Sequence, residues 1–245
     1  MNPTVELLRS HRSIRKFKNE PIPSNLFLAI IKSGQSAASS SFLQGVTVIR
    51  VTEDGKRKAF MEITGGQKYV LEAPEFLVFC ADLNRPMRCC ATLGGVPSKG
   101  LTEQFIIATV DVALFAQNVA VAAESFGLGI CYIGAIRNDP SRAASILELP
   151  QNVYPVFGMC IGWPDQNPEI KPRLPVSVVL KENVYSENDE AVSITCYDEV
   201  MRSYYATRSN NRKAQAWSEQ MTNLLSREAR PHMLKFLQSY GFIKR

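Results

Sequence analysis

Residues 101–126 have the sequence LTEQFIIATVDVALFAQNVAVAAESF, which is apolar on nearly every side when it is drawn as a helix. A Thr-Glu pair near its start and Gly127 after its end are typical helix boundaries, so we predict a helix of about seven turns. A helix that is hydrophobic all round belongs in the middle of a large core or in a subunit interface. Asp111, Gln117 and Asn118 make this one too polar to span a membrane. We therefore predict a buried helix, and we favour a subunit interface.

Apolar segments on both sides of this helix have the composition of β-strands. Residues 76–80 and 156–162 are continuously apolar, as strands buried on both faces should be. Residues 46–51 are rich in β-branched side chains, which favour strands. We predict these three segments as the central strands of a sheet.

Two shorter helices are predicted before the first strand. Thr4 is a candidate cap for a helix that ends near His11, and Ser24 is a candidate cap for a second helix that ends near Gly34. Helices and strands then alternate without a period of 20–50 residues, which argues against a repeat array.

The chain changes in composition after residue 163. Residues 164–175 are rich in proline, which is incompatible with a regular helix and predicts an extended arm. Helices are predicted further on over residues 197–207, 217–227 and 231–240. The polar, basic residues 208–213 are predicted to form a mobile linker. We therefore predict a core over residues 1–163, followed by an arm and a helical excursion over residues 164–245.

The composition is that of an ordinary soluble globular protein, with 45% hydrophobic and 21% charged residues. The N-terminus has no basic stretch leading into an apolar run, so we expect no secretory signal and a cytoplasmic location. Six cysteines without a Cys-x-x-Cys spacing are predicted to be reduced thiols, mostly in the core. The two histidines, His11 and His232, lie at no metal-ligand spacing, so no metal site is expected.

The net charge of +5 is concentrated in the last fifty residues. Residues 196–245 hold nine Lys and Arg against four Asp and Glu, which leaves 19 of each sign in residues 1–195. This concentration favours an anionic partner, which could be nucleic acid, a membrane surface or a phosphorylated cofactor. A solvated helical face is an equally good interpretation of the charge alone.

The motifs of several common enzyme classes are missing from the sequence. It has no Gly-x-Ser-x-Gly, no Gly-x-x-x-x-Gly-Lys and no His-Glu-x-x-His, so hydrolase, nucleoside triphosphatase and zinc peptidase functions lose their usual support. What remains are four small clusters of basic and hydrogen-bonding residues: His11-Arg12-Ser13 with Arg15, Ser39-Ser40-Ser41, Gly65-Gly66-Gln67-Lys68, and Lys171 with Arg173. Together they suit an anionic, ring-bearing cofactor, because Arg and Lys pair with phosphate while Ser and Gln bind the edge of a heteroaromatic ring.

These clusters belong to longer stretches that resemble a known family. The stretches are His-Arg-Ser-Ile-Arg-Lys-Phe (11–17), Ser-Ser-Ser-Phe-Leu-Gln (39–44), Thr-Gly-Gly-Gln-Lys (64–68), Ala-Ala-Glu-Ser-Phe-Gly-Leu-Gly (122–129), Tyr-Ile-Gly (132–134) and Asn-Pro-Glu-Ile-Lys-Pro-Arg-Leu-Pro (167–175). They resemble the oxygen-insensitive NADPH nitroreductases of the major, A type, and the related NADPH:flavin reductase of luminous bacteria. The resemblance runs almost from end to end, including residues 204–205 and 227–231.

The resemblance implies an α+β fold with a mainly antiparallel sheet flanked by helices. It also implies a homodimer whose subunits embrace through C-terminal excursions, with two FMN sites that are each built from both chains. The residues that would bind the FMN phosphate are His11, Ser13, Lys171 and Arg173, with Arg12 in the same network. Those that would bind or line the ring are Arg15 at its pyrimidine edge, Ser39, Ser41, Gln67, Tyr132, Ile133 and Gly134, with Glu103 as an acidic residue beside the site.

The resemblance further implies a ping-pong reaction in which NADPH donates hydride to FMN and an acceptor is then reduced, so no catalytic nucleophile is expected. Arg15 is implied as an electrostatic stabiliser of the flavin during reduction. The 2′-phosphate of NADPH would be bound by Arg208, with Arg137 and Arg230 in support. Arg212 and Lys213 lie close enough in sequence to Arg208 to be alternatives.

The acceptor stays open at this point, because nitroaromatics, quinones and free flavins all fit the resemblance. A dedicated flavin reductase is the alternative enzyme. Ala135 stands where the family usually has glycine, and residues 84–100 depart from the usual pattern, so the specificity of this chain is in question. A nucleic-acid-binding module that uses the basic tail with Tyr204, Tyr205 and Trp217 is the alternative of another class. It leaves the N-terminal clusters unexplained, so we expect neither a nucleic-acid nor a membrane partner.

Overall fold

Four antiparallel strands form one open sheet in this computed structural model, which describes residues 2–188, 190–208 and 214–245. The strands are β1 (Val46–Arg50), β2 (Glu75–Asp82), β3 (Gly129–Ile133) and β4 (Val153–Gly162). Their order across the sheet is β1-β2-β4-β3, so β1 and β3 are the two edges. The structure confirms the α+β class and the antiparallel sheet.

The described residues also form helices. They are α1 (Pro3–Arg9), α2 (Ser24–Gln35), α3 (Asp54–Ile63), α4 (Tyr69–Glu72), α5 (Asn84–Thr92), α6 (Thr102–Ser125), α7 (Pro140–Ile146), α8 (Val176–Val179), α9 (Glu190–Thr207), α10 (Trp217–Leu225) and α11 (Met233–Ser239). Short 3₁₀ turns cover Ser40–Phe42 and Gly134–Asn138.

The strand predictions are confirmed for the two strands in the middle of the sheet. Every residue of β2 is buried, and within β4 only Phe157 is partly exposed. The prediction that residues 46–51 are central is wrong, because β1 pairs only with β2. β3 was not predicted, since it is only five residues long and follows directly after the long helix.

The two predicted helix caps are also wrong. The first helix is capped by Asn2, whose side chain accepts a hydrogen bond from the Thr4 backbone N–H at 2.9 Å, so Thr4 lies inside the helix. The second helix begins at Ser24, and Pro23 before it forms no side-chain cap. Both errors follow from competing candidates one or two residues away, which local sequence does not rank.

The long helix α6 is confirmed, but it is buried on one side only. Its buried side carries mainly small residues, namely Ala108, Asp111, Val112, Ala116, Val119, Ala120 and Ala123. The side chains of Ile106, Val110 and Leu114 are 48%, 49% and 45% exposed, and their spacing of four residues puts them in one stripe. The prediction that α6 is too polar to span a membrane is wrong by length and composition alone, although core helices of soluble proteins pass the same test.

All six cysteines are free thiols, as predicted. The prediction that most lie in the core holds for Cys80, Cys131 and Cys160. It is wrong for the other three, which are exposed: Cys89, Cys90 and Cys196.

Internal contacts divide the chain into two units. The first is Met1–Gln166 with Arg230–Arg245, and it contains the sheet and α6. The second is Asn167–Ala229, and it has its own small core around Tyr197, Met201 and Tyr205. The predicted mobile linker lies outside the described residues from 209 onward.

Candidate functional site

The basic segment after α1 lies in extended conformation along the β3 edge of the sheet. The Ile14 N–H donates to the Ile130 carbonyl at 2.9 Å, and the Lys18 N–H donates to the Trp163 carbonyl at 2.9 Å. The buried Ile14 side chain packs so tightly on β3 that a Cβ at Gly129 would come within 2.4 Å of it. The backbone of the predicted phosphate-binding segment is therefore fixed to the sheet.

Arg15 brings two of the four predicted clusters together beside β3. Its guanidinium lies beside the Tyr69 hydroxyl, which follows the Gly65–Lys68 loop, and beside the Cys131 thiol of β3. Burial raises the pKa of both Tyr69 and Cys131, and the positive charge of Arg15 offsets part of each shift. Arg15 itself is exposed on its other side, where a ligand can reach it.

Gln67 presents a buried polar atom to the same edge of the fold. Gly65 and Gly66 both have positive φ, and the turn they form places the Gln67 side chain in a partly buried position. Arg57 stabilises the turn, because its Nε and Nη2 atoms donate to the Val70 carbonyl at 3.1 and 2.9 Å. The Oε1 atom of Gln67 is buried and has no hydrogen-bond donor among the described residues. Since a buried acceptor without a donor is costly, this atom fits a ligand that brings a ring N–H.

His11 contacts a residue that the sequence did not identify. Its Nδ1 atom lies 2.6 Å from the Oε1 atom of Glu124, in the last turn of α6. Nearby, the Tyr132 hydroxyl donates to Gln117 at 3.3 Å, and burial together with the charge of Glu124 raises the pKa of Tyr132. An acidic residue at the C-terminal end of an apolar helix is locally unfavourable, and this was the signal that could have revealed Glu124.

The two arginines predicted to support NADPH binding, Arg137 and Arg230, lie close together next to the end of β3. The Arg137 guanidinium donates to the Val156 carbonyl, and Arg230 donates to the Asn138 side chain at 3.1 Å. Burial lowers the pKa of Arg137, and the nearby charge of Arg230 lowers it further. The Arg137 guanidinium also lies 3.3 Å from the position that a Cβ on Gly134 would take. Two guanidiniums in proximity are suited to an anionic ligand.

The remaining residues of the N-terminal segment and of β3 lie along the same edge. Arg12 and Ser13 are partly exposed, and the Ser13 carbonyl accepts a hydrogen bond from Gln166 at 3.5 Å. Ile133 is buried at the end of β3. Residues 11–15, 65–69 and 131–134 therefore form one continuous site, which we call the β3-edge site.

The predicted serines do not lie in the β3-edge site of the same chain. Ser39 and Ser41 precede β1, at the opposite edge of the sheet. Their turn is held by α6, because the Ser40 N–H donates to Asp111 at 3.0 Å. The other carboxylate oxygen of Asp111, Oδ2, is buried without a hydrogen-bond partner in the described part of the chain, and the residues Asp111 and Ser39 line the same cleft.

Glu103 is also distant from the β3-edge site within one chain. At a rise of about 1.5 Å per residue along α6, Asp111 lies about 20 Å from Glu124, and Glu103 lies about 30 Å from it. Within one chain, the predicted site residues of the first unit therefore fall into two separate groups, one in the β3-edge site and one that contains Ser39, Ser41 and Glu103.

The second unit gathers its basic residues around Tyr205. The Lys171 ammonium lies 5.6 Å and the Arg208 guanidinium 4.6 Å from the centre of that ring. Burial alone would raise the pKa of Tyr205, but these two charges and the hydrogen bonds of the hydroxyl lower it overall. Arg173 donates to the Lys171 carbonyl at 3.4 Å. Arg212 and Lys213 lie outside the described residues.

The fold is that of an α+β protein, and the cationic and hydrogen-bonding groups of the β3-edge site suit a phosphorylated, ring-bearing cofactor. Comparison with known proteins gives this class a family. The model of the nitroreductase family matches residues 8–163, and the model of the nitroreductase family C-terminal domain matches residues 171–245. The chain belongs to the nitroreductase family.

Individual relatives are similar over the whole chain. The oxygen-insensitive NADPH nitroreductase of Salmonella typhimurium is 45% identical, and the NADPH-flavin oxidoreductase of Vibrio harveyi is 46% identical, each with full coverage of both chains. The solved structure of NADPH:FMN oxidoreductase from Vibrio harveyi, complexed with NAD⁺, matches with a TM-score of 0.91, 43% identity and full coverage of both chains. The family and the fold expected from the sequence are therefore confirmed.

Proposed function

We propose that this protein is an FMN-dependent oxidoreductase that uses NADPH to reduce small-molecule acceptors, with nitroaromatics and quinones as the first candidates. The observation that carries the proposal is the contact of Arg15 with Tyr69, two residues after Gln67, whose buried Oε1 atom has no hydrogen-bond donor among the described residues. When bound, FMN would supply the redox chemistry by taking up hydride from NADPH and passing electrons to the acceptor. Free flavin is the second candidate acceptor, because a relative at 46% identity is named NADPH-flavin oxidoreductase.

The chain's own residues would bind and orient the cofactor. The phosphate would be held by His11, Arg12, Ser13, Lys171 and Arg173, which supply cationic and hydroxyl donors. Gln67 would accept a hydrogen bond from the ring, Arg15 would face its electron-accepting edge, and Tyr132, Ile133 and Gly134 would line its surface. The fixed positive charge of Arg15 favours electron uptake because it stabilises negative charge without reorganisation.

We also propose that the active form is a cytoplasmic homodimer whose partner completes each site. Ser39, Ser41 and Glu103 are too far from the β3-edge site to serve it in one chain, whereas a second copy could supply them. The exposed stripe of Ile106, Val110 and Leu114 on α6 supports this assembly, since a second copy would remove it from water.

The visible spectrum of the purified protein tests the proposed function. We expect a yellow protein whose flavin absorbance bleaches on anaerobic addition of NADPH. A colourless protein that takes up no FMN, and that instead shifts nucleic acid in a gel in a salt-sensitive manner, would contradict the proposal and favour the nucleic-acid module.

Arg208 is proposed to recognise the 2′-phosphate of NADPH, with Arg137 and Arg230 in support. A charge-assisted hydrogen bond contributes enough for about a tenfold preference, so Arg208→Ala should remove at least that much of the preference for NADPH over NADH. The measurement is kcat/KM with each dinucleotide. Arg202→Ala is the matched control, because Arg202 lies on α9, which ends one residue before Arg208, and is paired with Glu199 and Glu219. If Arg208→Ala keeps the preference of the unaltered protein, another arginine binds the phosphate.

A further inference from the structure

We propose that Glu124 is a positioning residue for the cofactor phosphate, and that it acts by fixing the ring of His11. The inference rests on the proposed function, since it assumes that His11 contacts that phosphate. It adds a residue that lies 113 positions away in the chain and has no place in the phosphate network predicted from the sequence.

The contact between the two side chains is short and partly shielded from water. Glu124 Oε1 and His11 Nδ1 are 2.6 Å apart, with the side chains 13% and 29% exposed. The carboxylate of Glu124 has no other hydrogen-bond donor in the described part of the chain. Partial burial makes a paired carboxylate and imidazole interact more strongly than they would in water.

The position of Glu124 is unfavourable for the helix that carries it. The C-terminal end of a helix bears partial negative charge, so an acidic residue there destabilises the helix. The last turn of α6 contains no basic residue that could compensate. The charge of Glu124 therefore does not stabilise α6, and its one side-chain hydrogen bond among the described residues is with His11 of the β3-edge site.

The chemistry of the pair determines what His11 can offer to a ligand. An ionised carboxylate can only accept, so the Nδ1 atom must be the one that carries a proton toward Glu124. The ring orientation is then fixed, and Nε2 becomes the nitrogen available to a ligand. When Nε2 also carries a proton, the ring donates from both nitrogens, from Nδ1 to Glu124 and from Nε2 to a phosphate oxygen.

The test compares two flavins that differ only in the phosphate. Full-length protein stripped of flavin is titrated with FMN and with riboflavin, and binding is followed by the quenching of flavin fluorescence. We expect Glu124→Gln to weaken FMN binding about tenfold, as loss of one charge-assisted contact predicts, and to leave riboflavin binding unchanged. Glu124→Asp, which keeps the charge but shortens the side chain, should give an intermediate loss.

A double variant shows whether the effect passes through His11. If Glu124 acts through that ring, then His11→Ala combined with Glu124→Gln should bind FMN no more weakly than His11→Ala alone. Glu53→Gln is the matched control, because it removes an exposed ion pair with Lys56 on α3 and should change neither affinity.

The inference is overturned if Glu124→Gln and Glu124→Asp both bind FMN as tightly as the unaltered protein. It is also overturned if Glu124→Gln loses FMN and riboflavin affinity equally, or if the losses of FMN affinity from His11→Ala and Glu124→Gln add in the double variant. A failure of the proposed function is a different result. In that case the unaltered protein itself would bind neither flavin.

Discussion

Arg15→Ala is expected to slow the bleaching of the bound chromophore by NADPH about a hundredfold, while part of the FMN stays bound. The magnitude is that of removing one preorganised donor from a site where negative charge develops. Arg15 is well placed for this role, because its guanidinium lies beside the Tyr69 hydroxyl and beside the Cys131 thiol of β3. The preceding residue, Ile14, is hydrogen-bonded to β3, so the backbone that carries the Arg15 guanidinium is already in position before the reaction.

The decisive measurement is stopped-flow absorbance under anaerobic conditions, at NADPH concentrations that saturate each variant. A lower midpoint potential of the bound flavin should accompany the slower reduction, because the lost charge no longer stabilises the reduced state. Lys16→Ala is the control, since Lys16 is the next residue in the same exposed segment. Reduction of Arg15→Ala at the rate of the unaltered protein would remove Arg15 from the mechanism.

The sequence predicted the middle of the sheet better than its edges. β2 and β4 are continuously apolar because both of their faces are buried, and a continuous apolar run can be recognised in the sequence alone. β3 is a strand because Ile130 pairs with Ile161 of β4, a partner about thirty residues further along the chain. Its composition alone does not distinguish five apolar residues after a helix from the end of that helix.

The same distinction applies to the site. The resemblance predicted cofactor contacts for His11, Arg15 and Gln67, and the structure places Arg15 beside Tyr69, which directly follows the loop of Gln67. The resemblance could not identify Glu124 as the partner of His11, because a contact between residues 113 positions apart leaves no local sequence pattern. The burial of Gln67 Oε1 likewise depends on its surroundings in three dimensions, whereas the residue type shows only that it can accept.

Gly129→Ala is expected to destabilise the protein and to weaken FMN binding together. The new Cβ would lie 2.4 Å from the Ile14 side chain, closer than any real contact, and Ile14 is buried and branched. Overpacking of this kind lowers the free energy of unfolding by about 2 kcal/mol. β3 cannot shift away from Ile14, because Gly129 is paired with Gly162 of β4. Gly162 is itself tightly packed, since a Cβ added there would lie 2.5 Å from Pro74.

The strain must therefore be relieved by moving the segment that carries His11 and Arg15 away from the sheet. This is why we expect FMN affinity to fall at least about tenfold, equivalent to 1.4 kcal/mol, in a variant that leaves every proposed contact residue unchanged. Urea unfolding and flavin titration of the same samples measure the two effects. Adding Ile14→Ala should recover part of the FMN affinity because it removes most of the clashing atoms. Gly55→Ala, where a Cβ meets nothing within 4 Å, should leave FMN affinity unchanged. Unaltered FMN binding in Gly129→Ala would show that the segment is not positioned by its packing on β3.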